Sequence, residues 1–392
     1  GIDFGFLNNR VNGSLEVYWN TTKDLLMAVP VDNTTGYSYQ FQNFGKTSNR
    51  GIELSVNVDV INKGDFRFNV GAIYNYNRNK LDELPNADQY LYSSYWGSSS
   101  LVPTNDYMFV EGKAIGLVRG FISEGYYTVD DFNYTNGQYV LKEGVPDITK
   151  ALTATYMHPY DLPAGQTAFP GAAKFRDVDE SGTVDLDDAT CLGEVMPRHT
   201  GSFQLNFNYK NFDLSTNFNW TAGGKVYNVA AMINASGQEF DGIGAQRASW
   251  VADAFKVYNV NAAGDLYAVT NPDELRALNA NAKYHLPYHQ SGITSSEWLE
   301  NGSYLRLQTL TLGYTLPKNW LTKVHVDKIR LYLTATNLFT ITGYSGIDPE
   351  VNANPTGQSG FYSDLRIFPT LNMDFGTYPR ARTFTFGANI TF

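Results

Sequence analysis

The sequence predicts an all-β fold, namely a transmembrane antiparallel β-barrel with long extracellular loops. Three observations predict it: segments of strictly alternating apolar and polar residues, connections that are alternately short and long, and a composition poor in charge but rich in aromatic residues. Charged residues make up 17% of the 392 residues and aromatic residues 15%. Soluble domains carry about 25% charged residues, so this composition suits a surface that alternates between lipid and water.

The alternation is clearest in two predicted hairpins. In residues 51–60, apolar side chains from Ile52 to Val60 alternate with polar ones, and after a turn at 62–64 the pattern resumes from Phe66 to Tyr76. The second hairpin pairs 203–209 with 212–220 across a very short turn. Because successive side chains of a strand point to opposite faces, each segment has one apolar and one polar face.

The remaining strands are predicted from the same pattern, which gives about ten strands in all. They lie at 2–7, 11–25, 112–127, 303–316, 327–341 and 380–392. Several exceed ten residues, whereas strands of soluble proteins average about five or six. A strand that crosses a membrane needs about 9–11 residues.

The predicted connections alternate in length. Short turns are expected near 8–10, 61–64, 210–211 and 317–326, and long connections near 26–48, 81–110, 128–198, 222–302 and 342–379. Short turns on one side and long loops on the other are typical of outer-membrane barrels. Compact soluble domains rarely contain such long loops.

The two faces of the predicted strands fit a barrel wall. Aromatic residues gather near strand ends, where a barrel carries its interfacial girdles. They are Tyr74, Tyr76, Tyr209, Phe218, Trp220 and Tyr314. The opposite face carries Asn, Ser, Asp, Glu and Gln, which suits a water-filled lumen. The alternative is a soluble β-sandwich with one polar face.

Bulk properties exclude several other classes of protein. A net charge of −10 argues against a nucleic-acid partner. The single cysteine, Cys191, excludes a disulfide within the chain. No run of about 18 apolar residues is present. The sequence begins at Gly1 without a signal peptide, so we expect Gly1 to be an internal position of a longer exported protein.

The last predicted strand has a pattern of its own. In residues 383–392, aromatic and aliphatic side chains alternate with Thr, Gly and Asn, and the sequence ends on an aromatic ring. The residues on the apolar face include Phe384, Phe386, Ile390 and Phe392. This resembles the terminal-strand signal that outer-membrane assembly machinery reads.

Three stretches carry a family resemblance. Residues 42–54 read QNFGKTSNRGIEL, residues 301–317 read NGSYLRLQTLTLGYTLP, and residues 378–387 read YPRARTFTFG. Between the last two lie NLFT at 337–340 and YSGIDPE at 344–350. Together they resemble the SusC-like (SusC/RagA) TonB-dependent outer-membrane transporters from one end of the chain to the other.

The resemblance implies the C-terminal section of a larger barrel of about 22 strands, in the outer membrane of a Bacteroidetes-type Gram-negative cell. The plug and the segment that contacts TonB would belong to an N-terminal portion of the same transporter. Family members work with a SusD-like surface lipoprotein that closes the barrel, and import oligosaccharides or peptides. They break no bond in the nutrient, so we expect no enzyme. The alternative is a self-contained small barrel that acts as a pore, an adhesin or a membrane enzyme.

An acidic segment in the connection 128–198 predicts a calcium site. Residues 177–188 read DVDESGTVDLDD and follow the EF-hand loop, with Gly182 at the sharp turn and Val184 at the apolar position. The expected ligands are Asp177, Asp179, Ser181, the carbonyl of Thr183, Asp185 and Asp188. Asp188 replaces the usual Glu. Ca²⁺ is favoured because Mg²⁺ requires a tighter octahedron. The ion would stiffen an external loop; the alternative is an acidic surface loop without an ion.

Three further groups of residues are candidates for contacts with a ligand or a metal ion. Aromatic rings at Tyr90, Tyr92, Tyr95 and Trp96 could stack on sugar rings, or could pack the loop or face a lipoprotein. Trp250 and Trp298 are less well supported in that role. His285 and His289 have the spacing of a helical zinc pair, but Pro287 breaks the helix that such a pair needs, so we interpret them as loop histidines.

Overall fold

The computed structural model describes residues 1–37, 39–43, 45–84, 89–94, 101–153, 158–236, 248–286, 292–321, 326–351 and 371–392. Nine strands form one sheet in which each strand pairs antiparallel with the next along the chain. They are β1 (Ile2–Phe6), β2 (Val11–Lys23), β3 (Lys46–Lys63), β4 (Phe66–Glu83), β5 (His199–Tyr209), β6 (Phe212–Ala222), β7 (Tyr304–Thr315), β8 (Lys328–Thr342) and β9 (Thr383–Thr391). This is the predicted meander of a barrel wall.

One predicted strand is wrong. The segment 112–127 does not join the sheet; it forms two short strands, Leu117–Gly120 and Ser123–Tyr126, in smaller sheets. Its apolar side chains Val118, Phe121 and Tyr127 are fully buried in the loop cores, so its alternation reflects packing among loops. The predicted loops 81–110 and 128–198 are therefore parts of one connection between β4 and β5.

The connections segregate by length, as predicted. β1–β2, β3–β4, β5–β6 and β7–β8 are joined by short segments, and β2–β3, β4–β5, β6–β7 and β8–β9 by long ones. Gly64 adopts a left-handed conformation (φ +59°) in the tight turn between β3 and β4. Because the strands are antiparallel, all long connections emerge at one end of the sheet.

One face of the sheet is apolar across the strands, although register shifts interrupt the pairing of β3 with β4, of β6 with β7 and of β7 with β8. One row runs Val56, Ala72, Phe203, Phe218, Leu307 and Phe339 across β3 to β8. Many side chains of this apolar face are exposed, such as those of Val17 at 71% and Trp19 at 67%, both in β2. An apolar face this broad requires an apolar environment, as the outside of a membrane barrel has.

Aromatic residues form two levels on this face. Near the short turns, Tyr314 packs on Phe212 with ring centroids 4.6 Å apart. Farther along the strands, Tyr74 stacks with Trp220 at 6.1 Å. In β4, the eight residue steps from Phe66 to Tyr74 span about 27 Å along the strand. The strand tilt shortens that span along the membrane normal, to a height comparable with the apolar band of about 25 Å. Tyr74 and Tyr76 lie within β4 rather than at its end, because β4 continues beyond the aromatic level that is farther from the short turns.

The opposite face is polar, and its side chains form hydrogen bonds with one another. Its side chains pair across strands: Arg330 Nε donates to Asp213 Oδ1 at 2.9 Å, and Ser215 Oγ donates to Asn206 Oδ1 at 2.7 Å. Thr311 and Thr334 hydroxyls lie 2.9 Å apart. A hydrated lumen accommodates such groups, whereas lipid would not.

The long connections build a compact assembly of small sheets and helices. Its strands are Leu26–Pro30, Tyr39–Asn43, Gln89–Tyr92, Tyr107–Val110, Leu117–Gly120, Ser123–Tyr126, Phe132–Thr135, Gln138–Leu141, Asp147–Ile148, Ala173–Phe175, Thr183–Val184, Thr190–Glu194, Lys225–Tyr227, Tyr258–Val260, Leu266–Ala268 and Leu299–Asn301. The helices are Lys150–Thr153, Val229–Ser236, Ala248–Asp253 and Pro272–Leu278, and a further helix, Lys318–Leu321, lies in the short connection between β7 and β8. In the described residues, we find no helix with the length and apolarity needed to cross a membrane.

Two hydrophobic clusters hold this assembly together. The first joins the β4–β5 and β6–β7 connections around Phe121, Tyr127 and Phe169. The second cluster includes Met373 of the β8–β9 connection. It also includes Leu81, near the end of β4 from which the long β4–β5 connection leaves. The long connections therefore form a packed domain, called the loop domain below, in contact with the end of the barrel wall.

Gly51 in β3 permits a close approach on the polar face. A Cβ at position 51 would overlap the ring of Tyr18 and the backbone carbonyl of Tyr76. The ring of Tyr18 lies over the glycine and its hydroxyl donates to Asn77 Oδ1 at 3.1 Å. The absence of a side chain at Gly51 therefore lets β2, β3 and β4 share one packed contact.

We predict that Gly51→Val destabilises the barrel by about 1–3 kcal/mol, because the added side chain forces the Tyr18 ring away and strains the β3–β4 ladder. Urea unfolding of the intact protein in detergent, followed by the heat-dependent gel shift of folded barrels, measures this change. Gly71→Val in β4 is the matched control, since a Cβ there would meet only side-chain atoms within 4 Å, of Asn57 at 3.0 Å and of Gln204 at 4.0 Å. Equal effects of the two substitutions would contradict the packing argument.

Candidate cation site

The acidic segment lies within the β4–β5 connection, between the strands Ala173–Phe175 and Thr190–Glu194. Its short strand Thr183–Val184 pairs in parallel with Asp147–Ile148. Val184 is fully buried in the first hydrophobic cluster, as the loop pattern predicts. Val184 therefore anchors the loop in a packed core, and the acidic residues lie around the turn.

Three of the predicted ligands meet in space. One carboxylate oxygen from each of Asp177, Asp179 and Asp188 lies within 4.8 Å of the other two. Two oxygens on opposite sides of one Ca²⁺ are about 5 Å apart, since each Ca–O distance is 2.3–2.6 Å. The three carboxylates could therefore bind the same ion.

Backbone hydrogen bonds orient these carboxylates. Asp177 accepts from the N–H of Gly182 at 2.7 Å and from that of Ser181 at 3.1 Å. Asp188 is 1% exposed and accepts from the N–H of Val178 at 2.6 Å and of Asp185 at 2.8 Å. The buried carboxylate of Asp188 therefore holds the start of the loop, at Val178, next to its end.

The other predicted ligands make local contacts. The Ser181 hydroxyl donates to the carbonyl of Thr183 at 3.0 Å. Asp185 caps the short 3₁₀ turn Leu186–Asp188 by accepting from the N–H of Asp187 at 2.8 Å. Hydrogen bonding from Ser181 holds the pKa of Asp179 below its ordinary value, so this exposed group is ionised at neutral pH.

The aromatic residues expected to contact a ligand are placed differently. Tyr92 is 6% exposed and stacks on Phe109 with centroids 4.8 Å apart. Tyr90 is half-buried against the same cluster. Tyr92 therefore has the alternative role, as a packing residue of the second hydrophobic cluster. Tyr95 and Trp96 lie outside the described residues.

The C-terminal strand presents its apolar residues outward. Phe384 is 63% exposed, Phe386 73%, Ile390 51% and Phe392 85%. They lie on the apolar face, since Phe384 pairs with Ala335 and Phe386 with Leu333. β9 forms one edge of the sheet, and β1 forms the other.

A second group of side chains meets in a cavity that the sequence pattern does not indicate. Its lining includes Trp250, Tyr284, Glu297, Trp298, Glu300 and Ser345. These residues come from the β6–β7 and β8–β9 connections, in which Trp250, the segment 284–300 and Ser345 are well separated in sequence. No periodic pattern links them, and only the tertiary fold brings them together.

The polar lumen face, the apolar outer face and the packed loop domain define a section of an outer-membrane β-barrel. The family model described as "TonB dependent receptor-like, beta-barrel" matches residues 1–338. The chain belongs to this family.

Curated relatives match along the whole chain. The TonB-dependent receptor P3 of Formosa agariphila is 30% identical over 393 residues, which cover 100% of this chain and 33% of the relative. The TonB-dependent receptor SusC of Bacteroides thetaiotaomicron is 26% identical over 402 residues, which cover 100% of this chain and 31% of SusC. The chain thus spans about a third of the length of these relatives.

A solved structure, the RagAB peptide transporter, has a similar fold. It superimposes with a TM-score of 0.66 at 21% identity, covering 100% of this chain and 34% of that chain. At this level of identity the similarity shows the fold alone.

Proposed function

We propose that this chain is the C-terminal barrel section of a TonB-dependent importer that takes up oligosaccharides or peptides under a SusD-like lipoprotein lid. The open sheet is the observation that carries the proposal. β1 and β9 lie at its two edges, and neither pairs with a further strand among the described residues. Unpaired backbone groups at membrane depth cost several kcal/mol each, so further strands must cover both edges.

The length comparison supports an importer over the self-contained small barrel. The two relatives described above are about three times as long as this chain, and both are named TonB-dependent receptors. The remaining strands, the plug and the contact with TonB would come from the N-terminal portion of the transporter. The curated relatives are named as receptors, and the RagAB structure is described as a peptide transporter, so we propose transport rather than an enzymatic activity.

The proposal predicts a defined complex in the native membrane. Extraction in mild detergent and mass spectrometry should find this chain with a plug-bearing N-terminal portion and a surface lipoprotein in matching amounts. Nutrient uptake should stop when the inner-membrane proton gradient is collapsed, because TonB transmits that energy.

The opposite result is equally clear. If this chain purified alone as a folded, heat-modifiable barrel, its nine strands would close by themselves. The import proposal would then fail, and the small-barrel alternative would take its place.

We further propose that the 177–188 loop binds a structural Ca²⁺. The convergence of Asp177, Asp179 and Asp188 supports it, as does the anchoring of Val184 in the core. An ion at this point would neutralise three facing carboxylates and stiffen the connection 128–198. It would not take part in chemistry, because its ligands stabilise a loop.

Calcium should stabilise the loop domain by about 2.7 kcal/mol when its concentration is a hundredfold above Kd. Limited proteolysis of the intact protein should cut the 128–198 segment faster after chelation. The double substitution Asp177→Asn and Asp179→Asn should make cleavage independent of calcium. Asp187→Asn is the control, since Asp187 is exposed and lies outside the carboxylate cluster. If chelation leaves the rate of proteolysis of the wild type unchanged, the proposal of a bound calcium ion is wrong.

We also propose that the outward face of β9 is read during barrel assembly. Phe392→Ala should slow the appearance of folded protein in the outer membrane, because it removes the ring, 85% exposed, that follows the last residue of β9. Surface labelling over time measures this rate. Asn389→Ala, on the polar face of the same strand, should assemble normally, and equal rates for both variants would exclude the signal.

A further inference from the structure

The outer face of the sheet carries a pair of arginines near the end from which the long connections leave. Trp19 in β2 pairs with Arg50 in β3, and Arg50 pairs with Arg78 in β4, so the three residues form one row across the strands. Two residues nearer the short turns, Ile52 pairs with Tyr76 on the apolar face. Side chains two residues apart on a strand point to the same face, so both arginines lie on the outer face of the wall rather than in the lumen.

This row lies just beyond the aromatic level that is farther from the short turns. The four residue steps from Tyr74 to Arg78 span about 13 Å along β4. Aromatic belts mark the boundary between the hydrocarbon and the lipid headgroups, so the arginines are at headgroup depth. Because the short turns of such barrels face the periplasm and the long loops face the outside, these headgroups belong to the outer leaflet.

Trp19 orients one of the two guanidinium groups. The central carbon of the Arg50 guanidinium lies 3.7 Å from the centroid of the Trp19 ring. Trp19 is 67% exposed, and Arg50 and Arg78 are exposed as well. A guanidinium that stacks on a ring keeps the N–H donors at its edge available, so Arg50 can bind a ligand without leaving the tryptophan.

The charges of the two arginines are not neutralised within the part of the chain that the structure describes. None of the ion pairs found there includes Arg50 or Arg78. Residues directly opposite in an antiparallel pair have Cβ atoms about 4.5–5.5 Å apart, and like charges at such positions are destabilising. Farther along β4, by contrast, Lys80 is paired with Asp82 at 3.2 Å. An anion that contacts both guanidinium groups would remove the repulsion between them.

A phosphate group has the chemistry that this pair requires. Guanidinium groups bind phosphate oxygens through two parallel N–H donors, and two of them balance the charge of about −1.5 to −2 on a phosphate monoester. In the outer leaflet of a Gram-negative outer membrane, the lipid that carries such phosphates is lipopolysaccharide, on the sugars of its lipid A. We propose that Arg50 and Arg78, with Trp19, bind a lipid A phosphate of lipopolysaccharide on the outer face of β2 to β4. This surface lies outside the lumen, so its partner is a membrane lipid and not the imported nutrient.

The test uses the intact transporter, extracted in mild detergent and exchanged into detergent free of lipopolysaccharide. The wild type should bind purified lipid A, and it should bind dephosphorylated lipid A at least about tenfold more weakly, because the charge-assisted hydrogen bonds are lost. The double substitution Arg50→Gln and Arg78→Gln should weaken the binding of lipid A about a hundredfold, or about tenfold for each arginine. Dephosphorylated lipid A should bind this variant and the wild type equally.

The double substitution Lys63→Gln and Lys210→Gln is the matched control. It removes two cations at the other end of the wall, where Lys63 ends β3 and Lys210 Nζ lies 5.4 Å from the centroid of the exposed Tyr209 ring. This end faces the inner leaflet, so the variant should bind lipid A like the wild type. The heat-dependent gel shift shows whether each variant is a folded barrel. The comparison of the two lipids on the wild type needs no variant, so it decides the question even if the arginine variant misfolds.

Four outcomes overturn the proposal: no binding of lipid A to the wild type, equal binding of dephosphorylated lipid A, equal weakening by the arginine and lysine substitutions, or equal affinity for phosphatidylglycerol. The last outcome would reveal a general attraction to anionic lipids instead of a site for lipopolysaccharide. None of these outcomes affects the import proposal, because the arginine pair lies outside the lumen.

Discussion

The rest of the structure depends on the antiparallel ladder that connects β1 to β9 strand by strand, with register shifts in three of the pairs. In lipid, backbone N–H and C=O groups have no water to bond with, so only internally paired elements are stable. The ladder satisfies this requirement across the sheet, and its period of two sends apolar side chains to one face and polar ones to the other. The ladder also fixes the end at which the long connections emerge.

The loop domain is stabilised differently. A barrel wall with one face toward lipid and one toward water buries few side chains fully. Among the largest fully buried residues in the described part of the chain, only Leu81 and Arg306 lie on the nine strands. The long connections therefore need cores of their own. Arg306 joins the two regions: from β7 it contacts Asp348, and its Nη1 donates to Glu350 at 2.9 Å in the β8–β9 connection. Such a buried ion pair is costly to break, so it fixes the connection on the wall.

The two candidate sites in this domain differ in how they are encoded. The acidic loop is local: Asp177, Asp179 and Asp188 are close in sequence, and a glycine turn brings them together. The aromatic cavity is not local, because Trp250 and Trp298 reach each other through the packing of the second cluster. A local site can be deduced from spacing, whereas a site between distant segments needs the tertiary fold.

The sequence by itself determined the strand pattern, the apolar and polar faces, the alternating connection lengths and the acidic loop, because each is set by neighbours within a few residues. Only the tertiary structure decided that 112–127 belongs to the loops, since alternation cannot distinguish a barrel strand from a segment packed between two cores. It also decided that Tyr92 is a core residue and that Trp250 lines a cavity. Burial and the meeting of distant side chains depend on long-range packing, which a periodic pattern does not record.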